Sequence, residues 1–330
     1  MKDLEIYGTF GPNCQSKDRL IQLIEAGMTG IRLNLSHSNL EDHPDWLEAF
    51  YQAQNVTRKK ADLLIDMKGP ELRIGAIQPI NCEVDTLLDL DALILPACIF
   101  PLVPKEKLLL DDGKIELEVL SDVQARVLRG GLLTAHKSIA LENREVTTPV
   151  LTESDLHNLA CAKDYGVTGI MQPFVRGKED LLAIHRSLES IHFPCKIYAK
   201  IENTQGLENL DEILPYCDCV VIARGDLANP VGLCEIASVQ HRIEQICKER
   251  NHPYMVVTQM LNSMIDNPLP TRAEINDIYH SVLDGASGIM LTAETAVGNY
   301  PVQAMSTFVQ VAKIAKRDAK KAKEERKCLF

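Results

Sequence analysis

Eight short apolar runs, each followed by a segment of helical periodicity, succeed one another along this chain and restrict its fold more than any other feature. The runs are Glu5–Thr9, Gly30–Leu35, Asp62–Met67, Gly169–Pro173, Ile197–Ile201, Cys219–Ala223, Tyr254–Thr258 and Gly288–Leu291. The helical segments are Ser16–Ala26 with Gly27 as stop, Pro44–Lys60, a helix opened by the capping-box-like Thr152-Glu153-Ser154-Asp155 and running to Tyr165, Lys178–Ser190, Leu207–Leu214, Ser238–Arg250, Thr271–Asp284 and a long one after Pro301. Parallel strands joined by helices cross over with one hand, so eight such units predict a (β/α)8 TIM barrel. A doubly wound sheet is the alternative, but no glycine-rich nucleotide loop follows an early strand.

The regular alternation is interrupted between the third strand and Thr152. Gly75 to Thr147 is richer in short alternating runs and turn residues, and Asp112-Gly113 lies between strand-like segments as a hairpin signal. The expected organisation is therefore a catalytic barrel made of residues 1–74 and 148–330, with residues 75–147 an inserted β-rich domain. An insertion after a barrel strand hangs over the C-terminal face and can act as a lid.

Composition narrows the class of protein. With 45% hydrophobic and 25% charged residues, the chain has the make-up of a soluble globular protein. It contains no run of eighteen apolar residues, and its N-terminus lacks the apolar core of a signal peptide, so no membrane association and a cytoplasmic location are expected. A net charge of −11 argues against nucleic acid as partner, and the basic run Lys313–Lys327 reads as a solvated helix end. The ten cysteines are scattered without zinc spacing and read as reduced thiols.

In a barrel the C-terminal ends of the strands face the active site, and these strands end in charge. The second delivers Arg32, Asn34, Ser36 and His37, and the third Asp66, with Lys68, Glu71 and Arg73 just beyond. The fifth and sixth deliver Lys200, Glu202, Arg224 and Asp226; the seventh and eighth deliver Thr258 and Glu294. Any one of these alone is more often a solvated charge or a structural ion pair, whereas a charged group at most strand ends points to a site. Glu202 and Asp226 suit Mg²⁺ or Mn²⁺, which keeps oxygen ligands and shares them with a substrate. Arg32, Lys200 and Arg73 supply positive charge for a phosphate or a developing oxyanion, and the amides of Gly225 and Asp226 could hold a carboxylate. Asn34, Ser36 and Asp66 form a set of oxygens fit for a monovalent cation, and the Thr258 hydroxyl could relay a proton. Together these read as phosphoryl transfer.

At these residues the chain resembles the pyruvate kinase family, through RLNLSH (32–37), DMKGPELRIG (66–75), AKIEN (199–203), ARGDL (223–227), TQMLNSM (258–264), PTRAE (270–274) and TAETAVGNYP (292–301). The resemblance spans the chain from Thr9-Phe10-Gly11-Pro12 to the last helix. It implies a glycolytic enzyme that transfers phosphoryl between phosphoenolpyruvate and ADP to give pyruvate and ATP. By position, Lys200 would neutralise the transferring phosphoryl group and stabilise the enolate. Glu202 and Asp226 would bind Mg²⁺ (or Mn²⁺), and the Gly225 and Asp226 amides would take the carboxylate of pyruvate. Thr258 would lie near the face where the enolate is protonated, and Arg32 would contact phosphate. Pro12, Asn34, His37, Arg73 and the lid's Lys137 would meet the nucleotide. Asn34, Ser36, Asp66 and the Met67 carbonyl would hold K⁺, with Glu71 matching the K⁺-requiring form.

The sequence also departs from the family pattern. It has no counterpart of the C-terminal effector domain, so a truncated form without the usual allosteric activation is expected. Its lid is shorter than usual, and the barrel's helical faces are suited to a homodimer. Thr147 stands where an aspartate is common, Met67 where a threonine is, Ala228-Asn229-Pro230 replaces Gly-Val-Glu, and Thr292-Ala293 replaces Ser-Gly. Two other readings stay open: a paralogue that binds phosphoenolpyruvate or nucleotide with little or no turnover, and a metal-dependent enolpyruvate lyase or aldolase on the same barrel. The second would need Lys200, Glu202 and Asp226 but not His37, Arg73 or Lys137.

Overall fold

The computed structural model describes residues 4–36, 38–70, 72–111, 113–142, 144, 146 and 148–327. The apolar runs become β1 (Glu5–Thr9), β2 (Gly30–Asn34) and β3 (Asp62–Asp66), followed after an interval by further parallel strands. The interval holds β4 (Ile80–Cys82), β5 (Leu87–Asp89), β6 (Lys107–Leu110), β7 (Ile115–Ser121), β8 (Gln124–Arg129), β9 (Gly131–Leu133) and β10 (Ile139–Leu141). Then come β11 (Gly169–Gln172), β12 (Lys196–Ile201), β13 (Cys219–Ala223), β14 (Tyr254–Val257) and β15 (Gly288–Met290). Eight of them close into a barrel in the order β1-β15-β14-β13-β12-β11-β3-β2. The TIM barrel expected from the alternation is thus the fold.

The helices coat the barrel. They are α1 (Lys17–Ala26), α2 (Pro44–Thr57), α3 (Glu153–Cys161), α4 (Lys178–Ser190), α5 (Thr204–Glu208), α6 (Leu210–Ile213), α7 (Arg224–Val231), α8 (Ile236–Glu249), α9 (Arg272–Leu283), α10 (Ala293–Ala296) and α11 (Pro301–Lys327). Local chemistry sets their ends. The Ser16 hydroxyl accepts from the Arg19 N–H, and Gly27 stops α1 in the left-handed region at φ 117°. Thr152 and Asp155 form a reciprocal capping box on α3, as do Thr271 and Glu274 on α9. One expected helix, Leu207–Leu214, is instead split into α5, α6 and a 3₁₀ turn at Leu214–Tyr216. Pro215 has no N–H to donate and cannot prolong a regular helix through that point. A second difference is α7, an additional helix that starts directly after β13, where the pattern predicts none before Ser238.

Three apolar clusters hold the molecule together. Inside the barrel, Tyr7, Leu64, Met171, Tyr198, Val221 and Met255 fill the centre. Around it, strands and helices bury a continuous shell that includes Leu20, Phe50, Ile65, Ile184, Ile222 and Phe308. The third cluster belongs to the interval after β3, where Leu93, Leu108, Leu117 and Val127 are fully buried between antiparallel strands ordered β10-β6-β7-β8-β5. Each such side chain contributes about 1.5–3 kcal/mol of burial, so the inserted sheets carry a core of their own. Leu110 and Ile115 pair directly across the hairpin, although Asp112 of its turn lies outside the described residues. Among the described residues no helix is long and apolar enough to cross a membrane, and the nine described cysteines are unpaired.

Candidate active site

Strand register brings the predicted rim residues together. Asn34 lies beside Asp66 across β2 and β3, and Asp66 beside Met171 across β3 and β11. Lys200 and Glu202 come from the end of β12, and β12 pairs with β13, whose last residue leads straight into Arg224, Gly225 and Asp226. The result is a cluster of charges on one end of the barrel.

Lys200 is its centre. Its amine lies 2.9 Å from Glu202 Oε1 and 3.2 Å from Asp66 Oδ2. Arg32 Nε donates to that same Asp66 oxygen at 2.8 Å. Glu202 Oε2 accepts from the Phe174 N–H at 2.8 Å. Burial works to lower the Lys200 pKa, but the Asp66 and Glu202 carboxylates outweigh it and hold the amine protonated. Burial pushes the Glu202 carboxyl up to about 8 against the pull of Lys200, with Asp226 and Asp66 adding to the rise.

These features fit a divalent cation. Glu202 is 2% exposed, and its Oε1, although close to Lys200, receives no aligned hydrogen bond. A buried carboxylate so disfavoured as an anion, with the Asp226 carboxylate beside it in one cleft, is short of positive charge. Among the described residues no group of three or more His, Cys, Asp or Glu side chains is arranged around a common point. Two protein carboxylates with the remaining positions left to water and substrate are nevertheless the usual provision for Mg²⁺.

Thr258 adjoins the start of α7 through Gly225. Thr258 sits in the left-handed region at φ 70°, a costly conformation for a β-branched residue, worth about 1–3 kcal/mol of strain. Its hydroxyl accepts from the Gly225 N–H at 3.0 Å and donates to the Val257 carbonyl at 2.6 Å. Arg224 holds the same turn through the carbonyls of Val257 and Thr258, at 3.3 and 2.6 Å, and pairs with Asp277 at 2.8 Å. Arg224 is therefore a structural clamp rather than a group facing a ligand. The residue capping α7 is Ala223, which offers no side-chain acceptor, so of the first amides of this helix the Gly225 N–H is met by Thr258 from outside the helix, at its positive dipole end.

Asn34 is exposed, and its Oδ1 accepts from the Ser36 N–H and hydroxyl at 3.2 and 2.8 Å. Pro12 is exposed in the turn after β1, and the Met67 side chain is buried. Arg73 pairs with Ser138 in a β-bridge and donates to the His136 carbonyl at 2.8 Å. Lys137 forms an ion pair with Asp111 at 2.8 Å within the inserted sheets. His37, Glu71 and Thr147 lie outside the described residues. Glu294, expected at the rim, is instead 1% exposed and accepts from the N–H groups of Leu261 and Thr292 at 3.0 and 2.7 Å. A carboxylate with two amide donors is more stable buried than turned toward a ligand.

A cleft of roughly 610 Å³ opens beside Glu202 and Asp226. Its opposite wall comes from the inserted sheets, through Leu109, Ser138, Ile139 and Arg144, and its barrel side includes Phe174, Arg176, Asn203 and Asn229. Of these lining residues the sequence marks only Asn203, at the end of AKIEN, and Asn229, in the Ala228-Asn229-Pro230 departure. The Phe174 N–H that steadies Glu202 is a backbone group and carries no sequence signal. Arg176 follows a strand in the same way as the charges that were noticed, and it could have been found on that ground.

Comparison with known proteins converges on one family. The model of the pyruvate kinase barrel domain matches residues 1–94 and 92–305. Pyruvate kinase 2 of Saccharomyces cerevisiae is 35% identical over 96% of this chain, which spans 67% of that relative. The pyruvate kinase of Geobacillus stearothermophilus is 36% identical over 93% of the chain, which spans 56% of it. Among solved structures, a pyruvate kinase from Cryptosporidium parvum superposes with a TM-score of 0.86 at 29% identity, covering 95% of this chain and 69% of that one.

Proposed function

The chain belongs to the pyruvate kinase family and is an enzyme of that type, and from this premise we propose that it moves the phosphoryl group of phosphoenolpyruvate to ADP in the cytoplasm. In this reaction the bond between phosphorus and the enol oxygen breaks, a bond to the terminal phosphate oxygen of ADP forms, and the enolate left behind takes a proton at carbon to become pyruvate. The observation that carries the proposal is the Lys200 amine, kept protonated between Glu202 at 2.9 Å and Asp66 at 3.2 Å on the barrel rim.

Each residue has a physical task in this reading. Lys200 sets a fixed positive charge where the transferring phosphoryl group and the enolate oxygen develop negative charge. Arg32, anchored by Asp66 and by a longer bond to Thr9 at 3.4 Å, presents its remaining N–H groups to phosphate. The amides of Gly225 and Asp226, at the start of α7, take the substrate carboxylate, the Gly225 N–H exchanging the Thr258 hydroxyl for the substrate oxygen. Thr258 is the acceptor of the Gly225 N–H until substrate replaces it, and borders the face of the enolate that is protonated. Glu202 and Asp226 would hold Mg²⁺, which when bound supplies charge neutralisation to the substrate oxygens. Asn34, Ser36, Asp66 and the Met67 carbonyl would hold K⁺. Pro12, His37, Arg73 and Lys137 form the nucleotide side, Lys137 exchanging Asp111 for phosphate.

The test is ATP formation from phosphoenolpyruvate and ADP with Mg²⁺ and K⁺. Tight binding of phosphoenolpyruvate without ATP formation would identify a binding protein instead. Cleavage of a 2-oxo acid without any nucleotide requirement would identify a lyase.

A further inference from the structure

The polypeptide passes between the barrel and the inserted sheets twice, leaving after β3 and returning before α3, and the barrel grips both passages. Asp155, fully buried in the first turn of α3, is the main grip. Its Oδ1 accepts from the Lys68 N–H at 2.8 Å. Its Oδ2 accepts from the Gly69 N–H at 3.1 Å, and from both the N–H and the hydroxyl of Thr152 at 2.8 Å. Two further side chains hold the return passage. Gln172 donates to the Val150 carbonyl at 3.3 Å, and Arg176, fixed by Asp180 at 3.1 Å, donates to the Thr148 carbonyl at 3.2 Å.

Capping α3 requires only the bonds between Asp155 and Thr152. The bonds to Lys68 and Gly69 are surplus to the helix and reach 87 and 86 positions back in the sequence. A side chain at Gly69 would force this turn to shift: its φ is 60°, and a Cβ there would come within 2.4 Å of the Pro173 ring. One buried carboxylate therefore fixes the only segment that joins Asp66, with its Arg32 and Lys200 partners, to the inserted sheets on the outgoing side.

We propose that Asp155 is a positioning residue that sets the pivot of the inserted sheets against the barrel and thereby the nucleotide side of the cleft. The kinetic part of this proposal rests on the pyruvate kinase reading above; the structural part does not. In Asp155→Asn one oxygen is replaced by an amide donor, so at least one of the four donors loses its acceptor. We expect KM for ADP to rise about tenfold, the scale of one lost buried hydrogen bond, with KM for phosphoenolpyruvate within about twofold of the parent. Hydrogen exchange should quicken in residues 66–75 and stay unchanged in residues 4–36.

Thr152→Ala is the control, because it weakens the cap of α3 and leaves Lys68 and Gly69 bonded to Asp155. It should lower the melting temperature without moving exchange at 66–75 or KM for ADP. If Asp155→Asn fails to fold, Gly69→Ala disturbs the pivot from its other side with the cap intact and should reproduce the same shifts. The proposal is overturned if Asp155→Asn, or in its place Gly69→Ala, leaves both exchange at 66–75 and KM for ADP unchanged, or if Thr152→Ala gives the same shifts. Should the parent form no ATP, the kinase reading fails by itself, and the exchange comparison still decides the pivot.

Discussion

Replacing Lys200 by methionine separates the chemistry of the site from its architecture. The side chain is nearly isosteric along its stem, and only the charge is lost. Both acids that face the amine keep a second partner: Asp66 retains Arg32 at 2.8 Å, and Glu202 retains the Phe174 N–H at 2.8 Å. Burial raises the Glu202 carboxyl against the pull of Lys200, so removing the amine lets this acid shed its charge rather than remain a stranded anion. The loss of stability should therefore stay below the roughly 3–5 kcal/mol of a fully stranded buried partner. Catalysis should suffer more, because removing one preorganised charge from a developing oxyanion costs about 3–4 kcal/mol, or 10²–10³ in kcat. The assay is the initial rate of ATP formation at saturating phosphoenolpyruvate, ADP, Mg²⁺ and K⁺, with a melting curve beside it. Lys200→Arg should not restore the rate, since a planar fork does not reproduce the point charge of the amine. A Lys200→Met rate within about threefold of the parent, in a folded protein, would refute the assigned role.

Two further outcomes follow from other groups. Replacing K⁺ by a large organic cation should lower ATP formation by about tenfold or more, equivalent to about 1.4 kcal/mol of transition-state stabilisation; indifference to the exchange would remove the Asn34, Ser36 and Asp66 assignment. Glu244 on α8 is 3% exposed, and burial pushes its carboxyl above the ordinary glutamate value despite the Gln240 amide at 2.9 Å. The folded state then holds the Glu244 proton to higher pH than the unfolded chain, so its contribution to stability falls as pH rises from the ordinary glutamate value through the folded one. Glu244→Gln should melt at a higher temperature than the parent near pH 7 and lose that part of the pH dependence. An identical slope in both proteins would count against it.

The barrel was legible because its signal is periodic. Strands Glu5–Thr9 and Cys219–Ala223 and helix Lys178–Ser190 coincide with the apolar runs and helical pattern to the residue. The charges at the strand ends were equally visible, since each lies next to a run that could be identified first. What sequence proximity to the rim could not resolve is whether a charged side chain faces the cleft or the protein. Lys200 and Glu202 sit together there, whereas Arg224 turns onto the carbonyls of Val257 and Thr258, and Glu294 onto two backbone amides. That choice depends on which unsatisfied backbone groups lie within reach after folding, and those come from turns such as the left-handed pair Thr258 and Gln259. Asp155 illustrates the same limit from the other direction. Its capping role was visible in Thr152-Glu153-Ser154-Asp155, but its hold on Lys68 and Gly69 arises only when the segments before and after the inserted sheets are brought side by side.

The balance of charge at the rim leads to a last expectation. Arg32 and Lys200 face Asp66, Glu202 and Asp226, so two cations stand against three acids, and the one with the most buried side chain, Glu202, is the one whose charge is least tolerated. An anionic substrate approaching this cluster meets no surplus of positive charge unless a divalent cation is added. At an effective dielectric near 20, each close charge pair is worth about 4 kcal/mol before screening, enough for one added dication to reverse the sign of the site. Phosphoenolpyruvate should therefore bind weakly without Mg²⁺ and at least about tenfold more tightly with it, as read by titration calorimetry. Glu202→Gln should keep the weak metal-free binding and lose most of the Mg²⁺ enhancement, because the amide retains the Phe174 N–H as partner but removes one of the two anionic ligands. Equal affinity with and without Mg²⁺ in the parent, or full enhancement in Glu202→Gln, would show that the charges at the rim balance one another and that the site does not require an added cation.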